Sequence, residues 1–178
     1  MHKIKLVSFI LFTVLFVSAT NTDIQLEAKS LLNDQVELKI PKEFQIMSEE
    51  RIALKYPKEK PPTLVYTNES GGINVALNHT SSTANQNAIA SYKDYLKKAL
   101  SEMSSSLKWK SDGVAEINGR KVGYLEFMTQ AIDTKIYNLM FFTDVDGKLL
   151  ICTFNCTKSD MKEWTSAAKE IMYSLKVK

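Results

Sequence analysis

The chain contains few of the residue types on which catalytic and metal sites most often depend. Its 178 residues include two cysteines and two histidines, and one of the histidines is His2. Two cysteines exclude a disulfide framework and a four-cysteine zinc site. His79 is then the single histidine beyond the first residues, which leaves little for imidazole chemistry. We therefore expect no metal, no cofactor and no enzymatic activity.

Long apolar runs are also absent, except at the start of the chain. Lys3 and Lys5 precede the mostly apolar residues 6–17, and small residues follow up to Ala19 and Thr20. This pattern is typical of a signal peptide, residues 1–19, cleaved between Ala19 and Thr20. The alternative is a retained membrane anchor, but twelve helical residues span only about 18 Å of a hydrocarbon core about 30 Å thick. We expect an exported protein, periplasmic or extracellular, whose membrane contact is limited to the signal peptide.

A large excess of positive charge is missing as well. Loss of residues 1–19 removes two lysines and no acid, which leaves 21 basic against 20 acidic residues. This balance argues against a nucleic-acid partner, because binding to phosphates requires a basic surface. With 44% hydrophobic and 24% charged residues, the rest of the chain is typical of an ordinary globular domain.

Hydrophobic periodicity divides this domain into strands and helices. Residues 20–34 form a polar N-terminal arm with a weak helical pattern. Residues 35–40 alternate between apolar and polar side chains, which predicts a half-buried strand, and residues 52–56 are a further short candidate strand. Three prolines within residues 57–62 predict an extended, solvated connector.

The second half of the chain carries stronger local signals. Residues 63–67 and 73–79 are predicted strands, and apolar residues at intervals of three and four predict an amphipathic helix over residues 89–103. The pairs Asn118–Gly119 and Asp146–Gly147 predict two-residue hairpin turns. Three strands next to these turns are apolar on both faces and therefore require cover on both faces.

The end of the chain predicts a closing helix. Residues 157–160 have the spacing of a helix capping box, and an apolar stripe continues from there to the C-terminus. The order of elements predicts one α+β domain over residues 35–178. Its architecture is an α/β/α sandwich, in which helices flank a central antiparallel sheet of about six or seven strands.

Several of these segments resemble the PsbP/Mog1/DcrB-like superfamily. The resemblance covers about residues 35–177 and is carried by VELKIPKEF, IASYKDYLKKALSEM, EINGRKVGYLEF, DGKLLICTF and IMYSLKV. These are strand, turn and packing features, not catalytic motifs. The resemblance implies an exported bacterial member with the superfamily's α/β/α fold and a non-enzymatic role in binding or assembly. It identifies no functional residue, because a fold by itself does not define a function.

Cys152 and Cys156 lie on one face of a predicted strand. At about 3.3 Å per residue their Cα atoms are about 13 Å apart, beyond the limit of about 7 Å for a disulfide. We expect two buried free thiols that act as small hydrophobic residues. A disulfide across a broken strand and a reactive or metal-binding pair are the alternatives.

His79 and Glu126 are the other candidates for chemistry. His79 precedes three hydroxyl residues, but no nucleophile elbow accompanies it, and we expect a histidine in an exposed loop. Glu126 interrupts an apolar strand face. We expect it to lie at a strand end or to pair with Lys135, and the alternative is a buried carboxyl group in a pocket.

Two segments are candidates for contact with another protein. Tyr56, Lys58 and Lys60 belong to the proline-bearing connector, whose rigidity suits a partner surface. Lys93 and Lys97 lie on the outer face of the predicted helix, where they could contact a partner or anionic headgroups. An ordinary linker and an ordinary solvated helix face are the alternatives.

These observations favour a non-enzymatic accessory module that binds another protein of the bacterial envelope, as a chaperone-like, immunity or assembly factor. The alternative is a periplasmic carrier of a small apolar ligand. Such a ligand would lie between the C-terminal helix and the central strands, beside aromatic residues such as Tyr137. A hydrolase that uses His79 or Glu126 is a third interpretation.

Overall fold

The structure, a computed structural model, describes residues 24–56 and 61–178. The predicted signal peptide and its cleavage site, together with Lys58 and Lys60, lie outside the described residues. The strands within these ranges are β1 (Leu26–Leu31), β2 (Val36–Pro41), β3 (Gln45–Ile46), β4 (Leu64–Thr67), β5 (Asn74–Thr83), β6 (Lys108–Ile117), β7 (Arg120–Gln130), β8 (Lys135–Val145), β9 (Lys148–Thr157) and β10 (Lys176–Val177). The helices are α1 (Glu49–Lys55), α2 (Ile89–Met103) and α3 (Met161–Tyr173).

Seven of the strands form one antiparallel sheet in the order β3-β4-β5-β9-β8-β7-β6, and the others form a small sheet in the order β1-β2-β10. The small sheet and α3 cover one face of the seven-stranded sheet, whereas α1 and α2 cover the opposite face. The fold is therefore α+β, with an antiparallel sheet between helical layers. This confirms the predicted fold class.

The strands at the centre of the sheet, β8 and β9, are apolar on both faces, as predicted. Successive residues of a strand point to opposite faces, so each strand contributes to two cores. Tyr137 and Phe154 face the core under α3, and Phe142 and Leu149 face the core under α2. All four side chains are buried.

Both predicted hairpin turns are present. Asn118 and Gly119 have φ values of 49° and 76°, and Asp146 and Gly147 have φ values of 50° and 70°. Positive φ at both central residues is the primed turn geometry that matches the twist of the adjoining strands. The two turns join β6 to β7 and β8 to β9, and they set the register of these pairs.

Two short strands occupy segments for which the sequence indicated another structure. Residues Leu26–Leu31 of the predicted arm form β1 instead of a helix and pair with β2 over its whole length. The predicted C-terminal helix ends at Tyr173, and Lys176–Val177 pair with β2 as β10. Backbone pairing with β2 outweighs the weak local preferences of both segments.

The predicted strand at residues 52–56 is also wrong, because this segment belongs to helix α1. Ser48 caps the helix by accepting a hydrogen bond from the Arg51 backbone N–H at 3.4 Å. Glu49 and Glu50 occupy the first turn, where carboxylates interact favourably with the helix dipole. Leu54, in the last turn of this helix, is 84% exposed.

The predicted capping box before α3 is wrong in its detail. The helix begins at Met161, and Asp160 is its N-cap without a side-chain bond to the backbone. Thr157 instead donates its hydroxyl to an Asp160 carboxylate oxygen at 2.6 Å. The two side chains satisfy each other, so neither of them caps a backbone N–H.

Candidate partner-binding site

A wide groove opens between the small sheet, the β3 end of the large sheet and the first turn of α3. Its volume is about 1160 Å³. The β2–β3 connection forms its floor, and α1 and the β4–β5 turn form one wall. Apolar and polar side chains mix in its lining, and they include Ile24, Phe44, Ile46, Met47, Trp164, Lys42, Arg51, Thr67, Asn68, Glu69 and Glu163.

A stack of aromatic rings connects the floor of the groove to the core. The ring centroids of Phe44 and Trp164 are 5.4 Å apart, and those of Trp164 and Phe154 are 5.9 Å apart. Phe44 is 5% exposed and Phe154 is fully buried, so core packing holds Trp164 in place at the edge of the groove. The groove therefore has one rigid aromatic side.

The edge of the large sheet borders the groove at β3. The Met47 N–H donates to the Val65 carbonyl at 2.8 Å. Because alternate residues of an antiparallel strand point their backbone groups in opposite directions, the N–H and C=O of Ile46 point away from β4. The Ile46 side chain is 62% exposed. An extended segment of another protein could therefore pair with this edge while it covers Ile46.

The rim of the groove at the β4–β5 turn carries two cations. The Arg51 guanidinium donates to the Glu69 carbonyl at 3.4 and 3.5 Å, and Lys55 Nζ donates to the Gly71 carbonyl at 2.7 Å. The ion pairs among the described residues include neither cation. Burial lowers the pKa of Lys55, and the charge of Arg51 adds to this effect. The two cations hold the turn against α1.

Tyr56, a predicted partner residue, is the C-cap residue of α1 and does not line the groove. It is half-buried and packs against the small cluster of Met47, Val65 and Ala76. Burial raises the pKa of its hydroxyl group, which has no hydrogen-bond partner among the described residues. The apolar part of this side chain therefore contributes to packing.

Lys93 and Lys97, the other predicted partner residues, share Asp112 of strand β6. Lys93 Nζ lies 3.4 Å from Asp112 Oδ1, and Lys97 Nζ lies 2.5 Å from Asp112 Oδ2. Lys97 also lies 5.4 Å from the ring centroid of Trp109. We call Lys93, Lys97 and Asp112 the lysine cluster. Its charges connect α2 to the sheet, an arrangement that the helical pattern alone did not indicate.

Glu126 is buried in the middle of β7, so the expectation of a strand end or a pair with Lys135 is wrong. It is 4% exposed. Ser111 donates its hydroxyl to Glu126 Oε2 at 2.6 Å, and the fully buried Tyr137 donates its hydroxyl to Oε1 at 3.1 Å. Lys169 of α3 lies 4.0 Å away. Burial, followed by the Glu126 charge, raises the pKa of Tyr137. The carboxylate therefore links β7 to β6 and β8 through hydrogen bonds and to α3 through a long ion pair.

The cysteines are buried free thiols, as expected. Cys152 and Cys156 both face the core under α3 from strand β9. Burial raises the pKa of Cys152 well above its ordinary value and raises the pKa of Cys156 to about 12. Since the thiolate is the reactive form, both groups are chemically inert in the folded chain.

His79 lies within strand β5, so the expectation of an exposed loop is wrong. Its Nε2 is 3.1 Å from the Val145 carbonyl oxygen. A carbonyl can only accept a hydrogen bond, so this contact assigns the proton to Nε2. The imidazole thereby links β5 to the end of β8. Within residues 24–56 and 61–178, no cluster of three or more histidine, cysteine or acidic side chains could hold a metal ion.

The space that the alternative carrier interpretation assigned to an apolar ligand is filled by aromatic side chains. Tyr137 and Phe154 lie between α3 and the central strands with ring centroids 6.3 Å apart. Met172 of α3 is 3% exposed and belongs to the same core. The open groove beside this core contains Phe44, Ile46 and Arg51, whose roles the sequence did not indicate. Ile46 lies two residues after Phe44, the aromatic residue of "IPKEF", and this segment was the available sequence signal.

None of the described helices is long and apolar enough to cross a membrane. No family model matches the sequence, and no curated protein matches it. Solved structures do match. The cyanobacterial PsbP protein CyanoP from Synechocystis sp. PCC 6803 is 12% identical, with a TM-score of 0.63, and the match covers 87% of this chain and 94% of that chain.

Two further solved structures have a similar fold. LpqN of Mycobacterium tuberculosis, described as involved in cell envelope biogenesis, is 10% identical with a TM-score of 0.51, over 80% of this chain and 82% of that chain. A protein from Bacteroides thetaiotaomicron VPI-5482 is 17% identical with a TM-score of 0.51, and the match covers 85% of this chain and 48% of that chain. Together they show that this chain has a PsbP-like fold, as the sequence resemblance implied.

Proposed function

We propose that the protein is an exported, non-enzymatic accessory module that binds another protein of the bacterial envelope in the groove. Chaperone-like, immunity and assembly roles all belong to this class. The observation that carries the proposal is the open groove of about 1160 Å³, which has a rigid aromatic side and a free strand edge. Sites for small ligands are usually about 300–1,000 Å³ and enclose most of the ligand.

The chemistry of the groove suits a polypeptide. Its lining combines apolar side chains such as Ile46 and Trp164 with charged groups such as Arg51. An extended peptide presents the same mixture, because its backbone is polar and its side chains point alternately to each side. LpqN shares the fold and is described as involved in cell envelope biogenesis, which supports an envelope location for the proposed role.

The test is native mass spectrometry of the protein recovered gently from the envelope of its own host. We expect a bound polypeptide in stoichiometric amount, and its binding should then be reproduced with the purified partner. In that assay Ile46→Asp should abolish binding. Leu54→Asp is the matched control, because Leu54 is also an exposed aliphatic residue, 84% exposed on α1, but lies outside the groove lining.

Three outcomes contradict the proposal. Equal binding by the Ile46→Asp and Leu54→Asp variants shows that the partner uses another surface. A bound molecule of a few hundred daltons in place of a polypeptide supports the carrier interpretation. In the third outcome, the polypeptide binds the Ile46→Asp variant well and the Lys93→Ala and Lys97→Ala variants poorly. That result assigns the binding site to α2.

A further inference from the structure

Strand β6 presents the long free edge of the seven-stranded sheet. No other strand of the described residues pairs with its outer side. A two-residue hairpin turn is closed by a hydrogen-bonded pair, here Ile117 and Arg120, and the hydrogen-bonded positions then alternate. The backbone N–H and C=O groups of Asp112, Val114 and Glu116 consequently point outward.

The charges along this edge are complementary to themselves. Lys110 and Glu116 are exposed and take part in none of the ion pairs among the described residues. Asp112, which lies between them, is already paired with Lys93 and Lys97 of α2. Lysines on an edge strand usually oppose pairing with another chain. On β6 the lysine has its counter-charge six residues further along the same strand.

We propose that β6 pairs antiparallel with β6 of a second copy of this chain, with the two Gly113 residues opposite each other on a two-fold axis. Lys110 of each copy then lies opposite Glu116 of the other, and Asp112 lies opposite Val114. The outward backbone groups of Asp112, Val114 and Glu116 then find hydrogen-bond partners on the other copy. The result is one continuous sheet of fourteen strands, formed from the seven of each copy.

In this register Lys110 and Glu116, the charges of the edge without an ion pair among the described residues, lie opposite each other. Moving the axis by one residue in either direction, to Asp112 or to Val114, separates Lys110 from Glu116. Opposite charges directly across a strand pair stabilise it, and like charges destabilise it. A shift by a single residue is excluded, because it sets outward-pointing backbone groups against inward-pointing ones.

The residues near the proposed axis allow close approach. Two opposed residues at a position without hydrogen bonds have Cα atoms only about 4.5 Å apart. Gly113 adds no side chain there, and the end of the Tyr124 side chain occupies the place that a Cβ would take. Val114 is 40% exposed and becomes covered in the pair. The register of β6 shifts between Trp109 and Ser111, so the bulged Lys110 marks the end of the regular edge.

Sedimentation velocity of the purified protein over a range of concentrations tests the proposal. We expect a monomer–dimer equilibrium whose dissociation constant rises roughly ten-fold or more in Lys110→Glu and in Glu116→Lys, since each substitution sets like charges opposite each other twice per dimer. The double variant Lys110→Glu/Glu116→Lys should regain the dimer. Lys148→Glu is the matched control, because Lys148 is exposed on β9, three strands from the edge.

A second measurement locates the interface independently of the charges. Hydrogen exchange at the amides of Asp112, Val114 and Glu116 should slow as the protein concentration rises, whereas exchange in the groove should not. A wild-type protein that stays monomeric at high concentration overturns the proposal. A dimer that is insensitive to both single substitutions overturns it as well, and so does a double variant that stays monomeric although circular dichroism shows that it is folded.

Discussion

The two faces of the seven-stranded sheet differ in the interactions that bind them to the elements covering them. Among the described residues, one continuous core of 23 buried residues lies under α3 and the small sheet, whereas the opposite face has clusters of six under α2 and three under α1. The smaller cores are supplemented by polar bonds, including the Asn74–Asn155 and Asn138–Thr129 side-chain pairs and the lysine cluster. Hydrophobic burial therefore dominates one face, and it shares the other with polar contacts.

This difference predicts which substitutions affect the stability of the fold and which affect binding to another chain. The core under α3 extends to the floor of the groove through Phe154, Trp164 and Phe44. Strands β3 and β6 are the two edges of the large sheet, so their outward backbone groups are available to other chains. A residue of the α3 face is expected to affect folding, and a residue of an edge is expected to affect binding.

The largest effect is expected from Phe154→Ala compared with Phe142→Ala. Both side chains are fully buried, and loss of a buried phenylalanine costs about 3–5 kcal/mol. Phe154 also contacts the rings of Tyr137 and Trp164, and each such pair contributes about 0.5–1.5 kcal/mol more. In urea denaturation we expect Phe154→Ala to be the more destabilising variant. An equal or larger loss for Phe142→Ala would contradict the asymmetry between the faces.

The next largest effect concerns Glu126, a buried carboxylate on the α3 face. Glu126→Ala leaves the buried Tyr137 hydroxyl without its acceptor, which should lower the free energy of unfolding by about 2–3 kcal/mol. Glu126→Gln keeps an acceptor for Tyr137 and should cost less than half as much. Urea denaturation at pH 7 measures both variants. If the two lose the same amount, the charge rather than the hydrogen bond is what stabilises this site.

Gly123 gives a test of packing on the α2 face. A Cβ atom at this position would lie 2.3 Å from the Phe142 ring, so Gly123→Ala forces the ring to move. Overpacking of this kind costs about 1–3 kcal/mol. The loss of stability caused by Gly123→Ala should be smaller in the Phe142→Leu background than in the wild type, because the smaller side chain leaves room for the new methyl group. Thermal unfolding of the four proteins in this cycle provides the measurement, and additive losses would show that the ring and the new methyl group do not collide.

The smallest effect is expected from the lysine cluster. Hydrogen bonding to Lys97, followed by the contribution of Lys93, holds the pKa of Asp112 below its ordinary value. A lowered folded-state pKa stabilises the protein above the unfolded-state pKa of about 4, and this contribution is lost as the pH falls through the folded-state value. Asp112→Asn should therefore lower the melting temperature at pH 7 by about 1–3 °C.

The same comparison in acid distinguishes charge from packing. As the pH falls below the unfolded-state pKa, the melting temperatures of the wild type and Asp112→Asn should converge, and high salt at pH 7 should also reduce their difference. A difference that persists at low pH would assign the effect of Asp112 to its shape instead of its charge.

Local sequence signals predicted the parts of the fold that depend on local interactions. Asn118–Gly119 and Asp146–Gly147 tolerate positive φ, so both hairpins followed from four residues. The doubly apolar strands required cover on both faces wherever they lay in the sheet. The helix α2 was bounded correctly because its apolar stripe continues for fifteen residues.

Short elements could not be predicted in this way. Strand β10 has two residues and α1 has seven, which is too few for periodicity to distinguish a helix from a strand. Their conformations depend on what they pack against: β10 on β2, and α1 on Met47, Val65 and Ala76. Glu126 shows the same limit, since no sequence pattern places Tyr137 and Ser111 within reach of one carboxylate.

By itself the sequence determined the class of fold, its central strands and its helical cover, because these follow from hydrophobic periodicity and turn chemistry along neighbouring residues. Tertiary structure alone decided where a partner could bind. The groove unites Ile24, Ile46, Arg51 and Trp164 from distant parts of the chain, and the free edges at β3 and β6 exist only because of strand order. Strand order results from the competition of all strands for a shared core, and no single segment encodes it.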